Sequence, residues 1–450
     1  MLEEKYRLSS YTIAVRLEEE PDEVFLIHGY TGAIDLIAKS IVVFLEEHET
    51  FEKSEIPCSE ATQQALEKRG YITQKTAEEE YSYVHHMAEV LFKKESLLNN
   101  NFTFAVTYDC NFRCPYCFEK GIQKDKTTFT KEMTDKAFQA IMQITPNEKL
   151  RPKTISLYGG EPLLKENKEA VSYIVQKGKE LGFKFFAVTN GYDLDYYGDL
   201  LSPEKISGLQ ITIDGVKERH DSRRIHYKGY PTFDKIVNNI GLALQKGVSV
   251  VVRVNTDKDN IKDLEKLQTL FDELEYTKNK SFCIQSSLLE NPLEGSLVSY
   301  NYFTQKDFIK SYSKLDMKYR CQDYGIYKMI SFSMKSGKPL SFRSTFCGAQ
   351  TGGYVFDSMG NVYACWEAVN QKNQCIGHYY SGNGIVWNHV ALGRWKKAYL
   401  LETACMQCKY ALLCSGGCPA HNVNGHHCMQ MEDIVHYIVN YAYSKCKINH

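Results

Sequence analysis

Three cysteines fall within eight residues in the stretch TYDCNFRCPYCFEK (Thr107 to Lys120), at Cys110, Cys114 and Cys117, among the aromatics Tyr108, Phe112, Tyr116 and Phe118. Thiolates are the ligands of soft metals and of iron–sulfur clusters, and a four-iron cluster normally takes four of them. Three leave one iron without a protein ligand, and an open coordination position is where a substrate or cofactor binds. The spacing alone also fits a zinc site with a distant fourth ligand, or a redox loop. A second thiol-rich stretch reads Cys405-x2-Cys408-x5-Cys414-x3-Cys418 and then Cys428, preceded by Cys347 and by Gly360-x4-Cys365. Zinc ribbons use paired C-x2-C units, but seven thiols do not divide into tetrahedral zinc sites.

Further polar residues stand at the ends of apolar runs. Gly159-Gly160-Glu161-Pro162 follows KTISLY, Asn190 lies in TNG and Asp214 in TIDG. Glycines let backbone approach a neighbour closely, and a carboxylate can receive an ammonium. Asn-Gly and Asp-Gly are also ordinary turn dipeptides. HDSRR, residues 220 to 224, offers the forked guanidinium of Arg224 for a carboxylate, or is a solvated charged loop.

The elements that must position these residues alternate from about 102 to 290. FTFAVTY, KTISLYGG, KFFAVTNG, LQITIDG, VSVVVRVN and SFCIQSSLL read as strands, with helical patterns such as KEAVSYIVQKGKELG and FDKIVNNIGLALQKG between them. Apolar strands in six β-α repeats predict a parallel sheet, and ligands then sit at the carboxyl ends of its strands. Residues 1–95 form a separate α+β unit, in which SEATQQALEKRG begins at a serine cap and stops at Gly70. Residues 96–295 hold the repeats and 296–345 a tyrosine-rich connector. Residues 346–450 carry a cysteine-rich tail with little periodicity, for which metal ligation is the expected source of folding energy.

Lys plus Arg (54) balances Asp plus Glu (55), so nothing in the net charge favours nucleic acid or a membrane as partner. MLEEKYRLSS lacks the pattern of a secretion signal and no apolar run approaches a membrane span, which reads as a cytoplasmic chain. Fifteen cysteines in a reducing compartment then read as metal ligands or reactive thiols rather than disulfides. Cys58, Cys283 and Cys446 read as unligated, since a lone cysteine often behaves as a small buried apolar group.

C-x3-C-x2-C after the first strand of a βα array, with an aromatic before its last cysteine, resembles the radical S-adenosylmethionine (SAM) enzymes. The resemblance implies a partial (β/α)6 TIM-like barrel. Its SAM-binding [4Fe-4S] cluster would be held by Cys110, Cys114 and Cys117, and SAM would occupy the open iron to yield a 5'-deoxyadenosyl radical. It also implies Tyr116 against the adenine, Gly159, Gly160 and Glu161 at the methionine amino group, Asn190 and Asp214 near the ribose, and Arg224 at the carboxylate. The tail is similar to the SPASM extension, which implies two auxiliary [4Fe-4S] clusters. Cys405, Cys408, Cys414 and Cys428 would hold one, and Cys347, Cys365 and Cys418 the other, its fourth ligand being Cys321, Cys375 or an open position. Residues 1–95 look like the winged-helix-like domain by which peptide-modifying enzymes bind a leader peptide. The implied function is a maturase of a ribosomally made precursor peptide, forming thioether crosslinks from cysteine to Cα or Cβ and reduced by a flavodoxin or ferredoxin. Carbon–carbon crosslinking, anaerobic sulfatase maturation to formylglycine, and a non-enzymatic electron-transfer protein are the alternatives. Sulfatase maturases usually carry an acid directly after the G-x4-C cysteine, where this chain has Trp366. Precursor, bond position, stereochemistry and oligomeric state are not encoded in these motifs.

Overall fold

The computed structural model describes residues 5–98, 100–121, 127–289, 301–380, 382, 384–402, 404–421 and 428–447. The chain forms two compact units, one from Met1–Leu97, Asp323–Gln350 and Ala398–His450, the other from Leu98–Gln322 and Thr351–Lys397. Each unit is assembled from separated stretches, so packing groups the chain differently from the residue pattern that marks boundaries at 95, 295 and 345. The 295 boundary itself lies outside the described residues.

The first unit opens with strands β1 (Lys5–Leu8), β2 (Thr12–Arg16), β3 (Glu23–His28), β4 (Ile34–Ala38), β5 (Phe51–Glu52) and β6 (Ile72–Thr73). They make two antiparallel three-stranded sheets, ordered β5-β1-β6 and β2-β3-β4. The helix Glu60–Arg69 is capped by Ser59, whose hydroxyl accepts from the Thr62 amide, and ends at Gly70 with φ 93°, as the serine and glycine signals predict. Tyr11, Tyr30, Val84 and Ala88 share one apolar core with Leu400, Met406, Ala411 and Leu412. The cysteine-rich stretch around Cys405 is therefore built onto the N-terminal elements of its own unit, a long-range packing that periodicity does not encode.

A buried carboxylate fastens this unit. Glu80, fully buried on the helix Ala77–Leu98, accepts from the Ser9 hydroxyl, the Ser10 amide (3.0 Å), the Tyr30 hydroxyl (3.0 Å) and the Arg7 guanidinium (2.7 Å). Burial raises its pKa, but these donors and the Arg7 charge outweigh burial and leave it below the ordinary carboxylate value.

In the second unit β7 (Asn100–Thr107), β8 (Thr154–Gly159), β9 (Lys184–Thr189), β10 (Ile206–Thr212), β11 (Ser249–Thr256) and β12 (Phe282–Leu288) are parallel and lie side by side in chain order. A sequential order has no reversal point of the doubly wound type and agrees with a barrel-like α/β array. All six match the strands predicted from the sequence. The connection from β9 to β10 carries only a 3₁₀ turn, Leu194–Tyr197, where a helix completes the other repeats. Along β11 Val250, Val252 and Val254 are buried, while Arg253 and Asn255 alternate with them toward the other face.

The sheet continues beyond β7, which the sequence did not reveal. β13 (Gly352–Asp357) pairs in parallel with β7, and β14 (Asn361–Tyr363), β15 (Gly377–His378) and β16 (Val386–Trp387) extend the sheet antiparallel to ten strands. The Tyr108 hydroxyl donates to buried Asp357 (2.8 Å), which also accepts from the Met359 (2.9 Å) and Asn361 (2.7 Å) amides. That carboxylate sets the turn leading toward Cys365.

Removing the Glu80 carboxylate leaves a partly buried cation and two hydroxyls unmet. Glu80→Ala is expected to cost the metal-free chain about 3 kcal/mol in urea unfolding, the lower end for a broken buried pair because Arg7 is partly exposed. A depressed carboxylate pKa contributes stability that is present above the unfolded value near 4.3 and lost as pH falls through the folded value. The difference between wild type and Glu80→Ala should therefore narrow on acidification below about pH 4.3.

Candidate active site

The three-cysteine loop leaves the carboxyl end of β7 and is fixed by the turn that leaves β8. The Gly160 amide donates to the Thr107 carbonyl (2.9 Å) and the Glu161 amide to the Asp109 carbonyl (2.8 Å). A Cβ on Gly159, at φ 125°, would stand 2.3 Å from the Thr107 carbonyl oxygen, and one on Gly160 2.3 Å from that of Asp109. The close approach that needs these glycines is thus to the chain itself, at the root of the thiol loop. Glu161 is buried and accepts from the Leu163 amide (2.9 Å), the Thr189 hydroxyl (2.6 Å) and the Asn190 amide (2.6 Å). Burial pushes its pKa up to about 7, against the pull of those three donors. Its carboxylate ties the end of β8 to the end of β9.

Asn190 faces the same loop, its side-chain amide donating to Asn111 Oδ1 (2.7 Å) while Asn111 donates to Asp193 (3.2 Å). Asn111 and Asp193 were missed in the sequence, although a polar residue directly after Cys110 was the available signal. Tyr116, Asp214 and Arg224 converge from three separate segments. The Tyr116 hydroxyl donates to Asp214 and accepts from Arg224 Nη1 (3.1 Å), and Asp214 also accepts from the Asn255 amide (3.1 Å). Burial raises the Asp214 pKa, and Arg224 is the largest influence lowering it. Burial lowers the Arg224 pKa, but Cys114, Tyr116 and Asp214 together carry it above its ordinary value.

The HDSRR stretch divides its work. His220 Nδ1 accepts from the Asp214 amide (3.3 Å), Asp221 accepts from the Thr232 (2.8 Å) and Phe233 (2.9 Å) amides, and Arg223 pairs with buried Asp257 (2.8 Å). Arg224 is hydrogen-bonded to Tyr116 of the thiol loop, while His220, Asp221 and Arg223 hold neighbouring elements.

Tyr158, the residue before Gly159, was also unforeseen. Burial raises its phenol pKa, with Glu119, Cys117 and Glu367 adding to the rise, so it stands in the field of the loop. Trp366, directly after Cys365, stacks on Tyr158 with ring centroids 5.4 Å apart and 23° between planes, while remaining 46% exposed.

All fifteen cysteines are outside disulfides. Cys405, Cys408, Cys414 and Cys428 sit in one another's fields: burial pushes the Cys414 thiol up to about 12, and the other three thiols add to the rise. Cys347 and Cys418 belong to the first unit and Cys365 to the second. Cys375 is buried and donates its S–H to the Gly377 carbonyl (3.1 Å), and Cys321 is buried too. Cys58 packs on the N-terminal core and burial raises the Cys283 thiol.

The residues at the end of β7 fit an iron–sulfur group with an organic cation bound to it. Cys110 Sγ accepts from the Phe112 amide (3.3 Å), which favours a thiolate. Arg224 Nε is buried without a hydrogen-bond partner, a donor left for an acceptor that the chain does not supply. No three His, Cys, Asp or Glu among the described residues could hold a single metal ion. None of their helices is long and apolar enough to cross a membrane.

Residues 104–271 match the profile of the radical SAM superfamily. The cysteine-type anaerobic sulfatase-maturating enzyme of Clostridium perfringens is 24% identical over 330 residues, 69% of this chain and 85% of that enzyme. GTP 3',8-cyclase of Staphylococcus epidermidis is 24% identical over 298 residues, 63% and 84% of the two chains. The solved structure of native anSMEcpe with bound AdoMet shares the fold with TM-score 0.59 at 17% identity, covering 78% of this chain and 100% of that one. Streptococcus suis SuiB does so with TM-score 0.50 at 14% identity, covering 92% and 95%.

Gly160→Ala is expected to force apart the Asp109 carbonyl contact, lower the thermal midpoint and reduce 5'-deoxyadenosine release at least about tenfold, a displacement of the order of 1 Å being enough for such losses. Gly393→Ala, where a Cβ meets nothing within 4 Å, should be neutral or slightly stabilising in the same assays. The matched profile, the sequential parallel strands and the thiol loop at their carboxyl ends together show that the chain carries a domain of the radical SAM superfamily.

Proposed function

We propose that this chain is a peptide maturase that uses radical chemistry to join a cysteine of a ribosomally made precursor to Cα or Cβ of another residue. The observation that carries this reading is Trp366. In the formylglycine-forming alternative an acid usually follows the cysteine at that position; here that residue is an indole stacked on Tyr158, which stands in the field of Cys117, so the side chain at that position is no proton acceptor. A four-iron cluster on Cys110, Cys114 and Cys117 with SAM bound would supply a 5'-deoxyadenosyl radical able to take a hydrogen atom from carbon.

The residues themselves position and shield. Glu161 and the Gly159–Gly160 turn hold the loop against β8 and β9. Tyr116, Asp214 and Arg224 present a hydroxyl, a carboxylate and a guanidinium in one hydrogen-bonded line, suited to a zwitterionic amino acid moiety and ribose hydroxyls. Tyr158, in the field of Cys117, carries the Trp366 indole on its ring, and that indole remains 46% exposed. The tail cysteines are read as ligands of two auxiliary clusters, and a flavodoxin or ferredoxin as the reductant. Similarity to the sulfatase maturase over 69% of this chain favours formylglycine formation as the second reading.

A peptide site is supported within the first unit. β4 pairs only with β3 among the described residues, so one of its sides is open. The His28 amide donates to the Ala33 carbonyl, and in an antiparallel ladder the bonded pairs alternate. With Leu26 opposite Asp35 and Phe25 opposite Leu36, the backbone groups of Ile34, Leu36 and Ala38 point away from β3; the Ile34 carbonyl already accepts from Arg69 Nη2 (2.9 Å), so the row on offer is that of Leu36 and Ala38. A cavity of about 1080 Å³ lies there, lined by Phe25, Leu36, Lys68, Lys335 and Lys338 among others. Strand addition uses such a backbone row for affinity and flanking pockets for specificity, and the lysines suit a leader rich in Asp and Glu. Holding the leader keeps the rest of the same peptide at high effective concentration.

Leu36→Pro removes an outward amide without touching the bonds to β3, a position where an edge strand tolerates proline. Leader affinity should fall about tenfold, the equivalent of one lost hydrogen bond, and wild-type affinity should weaken with added salt. An unchanged affinity with folding intact would move the leader elsewhere. The reaction is tested by incubating the enzyme with a cysteine-containing precursor encoded beside its gene, SAM and reductant. Loss of two hydrogens per link with thiols blocked to alkylation supports a thioether, the same loss with alkylatable thiols a carbon–carbon bond, and an aldehyde at cysteine the formylglycine reading.

A further inference from the structure

An arginine of the first unit is built in between cysteines that the radical loop does not use. Arg343 lies four residues before Cys347. Its amide donates to the Leu412 carbonyl (3.3 Å), its carbonyl accepts from the Ser415 hydroxyl (3.2 Å), and its Nη2 donates to the Leu413 carbonyl (3.3 Å). These bonds bracket Cys414 on both sides in sequence, so the guanidinium is held beside that thiol. Its carbon lies 5.8 Å from the centroid of the Phe346 ring. Nε is buried with no hydrogen-bond partner, a costly state for a donor on a charged group and one that an acceptor on a bound group would relieve.

The neighbouring carboxylate is committed elsewhere. Glu95 accepts from the Ser344 amide (2.9 Å) and hydroxyl (3.2 Å) and from the Thr345 amide (3.1 Å) and hydroxyl, clamping the segment between Arg343 and Cys347. Burial lowers the Arg343 pKa, while Cys414, Glu95 and Cys347 act to raise it. A guanidinium remains a cation throughout the neutral range.

We propose that Arg343 is a fixed positive charge placed between Cys414 and Cys347, raising the reduction potential of the iron–sulfur group held by Cys405, Cys408, Cys414 and Cys428. The proposal rests on the reading of those cysteines as cluster ligands. The step concerned is uptake of one electron by that group, which becomes one charge more negative. A nearby cation in a partly buried setting stabilises the more negative state. Phe346 and the Glu95 clamp make the charge a permanent part of the protein rather than a mobile surface group.

The test uses the full chain carrying Cys110→Ala, Cys114→Ala and Cys117→Ala, reconstituted anaerobically with iron and sulfide, so that only tail-bound iron is read. Paramagnetic resonance of the reduced group is followed while dithionite and mediators set the potential. Arg343→Met should retain the iron but titrate at a more negative potential, with the reduced-to-oxidised ratio at fixed potential falling about tenfold for one unit charge nearby. Arg343→Lys should stay near the parent. An unshifted Arg343→Met with iron retained, equal shifts in both variants, or loss of iron from both while circular dichroism is unchanged would each overturn the proposal. Iron missing from the parent itself would instead sink the reading of the tail cysteines as ligands, and the proposal with it.

Discussion

The contact on which the radical site depends is the close approach of two backbones at the ends of β7 and β8. The carbonyls of Thr107 and Asp109 accept from the Gly160 and Glu161 amides at a separation that leaves no room for a Cβ on Gly159 or Gly160. Because Cys110 follows Asp109 directly, the position of the first thiol is inherited from this contact. Glu161 then carries the constraint onward, since its carboxylate binds the residues that end β9. A four-residue motif thereby fixes a loop, a turn and a neighbouring strand end, and any cofactor contact it makes is added to that structural work.

Buried carboxylates repeat the device. Glu80 gathers four donors from elements 50 to 73 residues away, Glu95 gathers four from Ser344 and Thr345, and Asp357 sets the turn that leads to Cys365. A carboxylate accepts several bonds with little steric demand, so one side chain can fix a segment too irregular to be held by a ladder. The segments around Cys347 and Cys365 are of that kind, running through loops and short 3₁₀ turns. Burial of these groups would be costly alone, and the donors that surround them both satisfy them and determine the local path of the chain.

Much of the fold was legible because its elements are locally consistent. The six parallel strands and the helices between them follow from apolar runs, and the helix after Ser59 follows from its cap and its glycine. The strand β13 was not legible, because Gly352–Asp357 acquires its role only by pairing with β7, some 250 residues earlier. The shared core of Tyr11 and Tyr30 with Leu400 and Leu412 was hidden for the same reason: contacts of that separation leave no periodic trace. Around the thiol loop, Tyr116, Glu161, Asn190, Asp214 and Arg224 stood out in the sequence through their motifs, whereas Tyr158 and Asp193 belong to no spaced motif and Asn111 was marked only by its place after Cys110. In HDSRR the sequence singled out Arg224 alone, and the roles of His220, Asp221 and Arg223 in holding neighbouring elements appear only once the chain is folded.

The choice between radical reactions turns on what surrounds the reacting carbon once a hydrogen atom has left. An acid at the position after Cys365 would offer a place for a proton; a partly exposed indole stacked on half-buried Tyr158 offers polarisable apolar surface instead. On the proposed reading such a surface leaves the carbon radical to be captured by a group on the same peptide. The peptide must, on that reading, also be delivered in a fixed register, since a stacked indole and phenol grip it without direction. In the proposed function the strand edge of β4 would meet that need, because backbone pairing restricts register to steps of two residues. On that reading, recognition through main-chain bonds and reaction beside an aromatic pair are complementary choices: the first is indifferent to side-chain identity, and the second leaves selectivity to the cysteine and acceptor of the peptide itself.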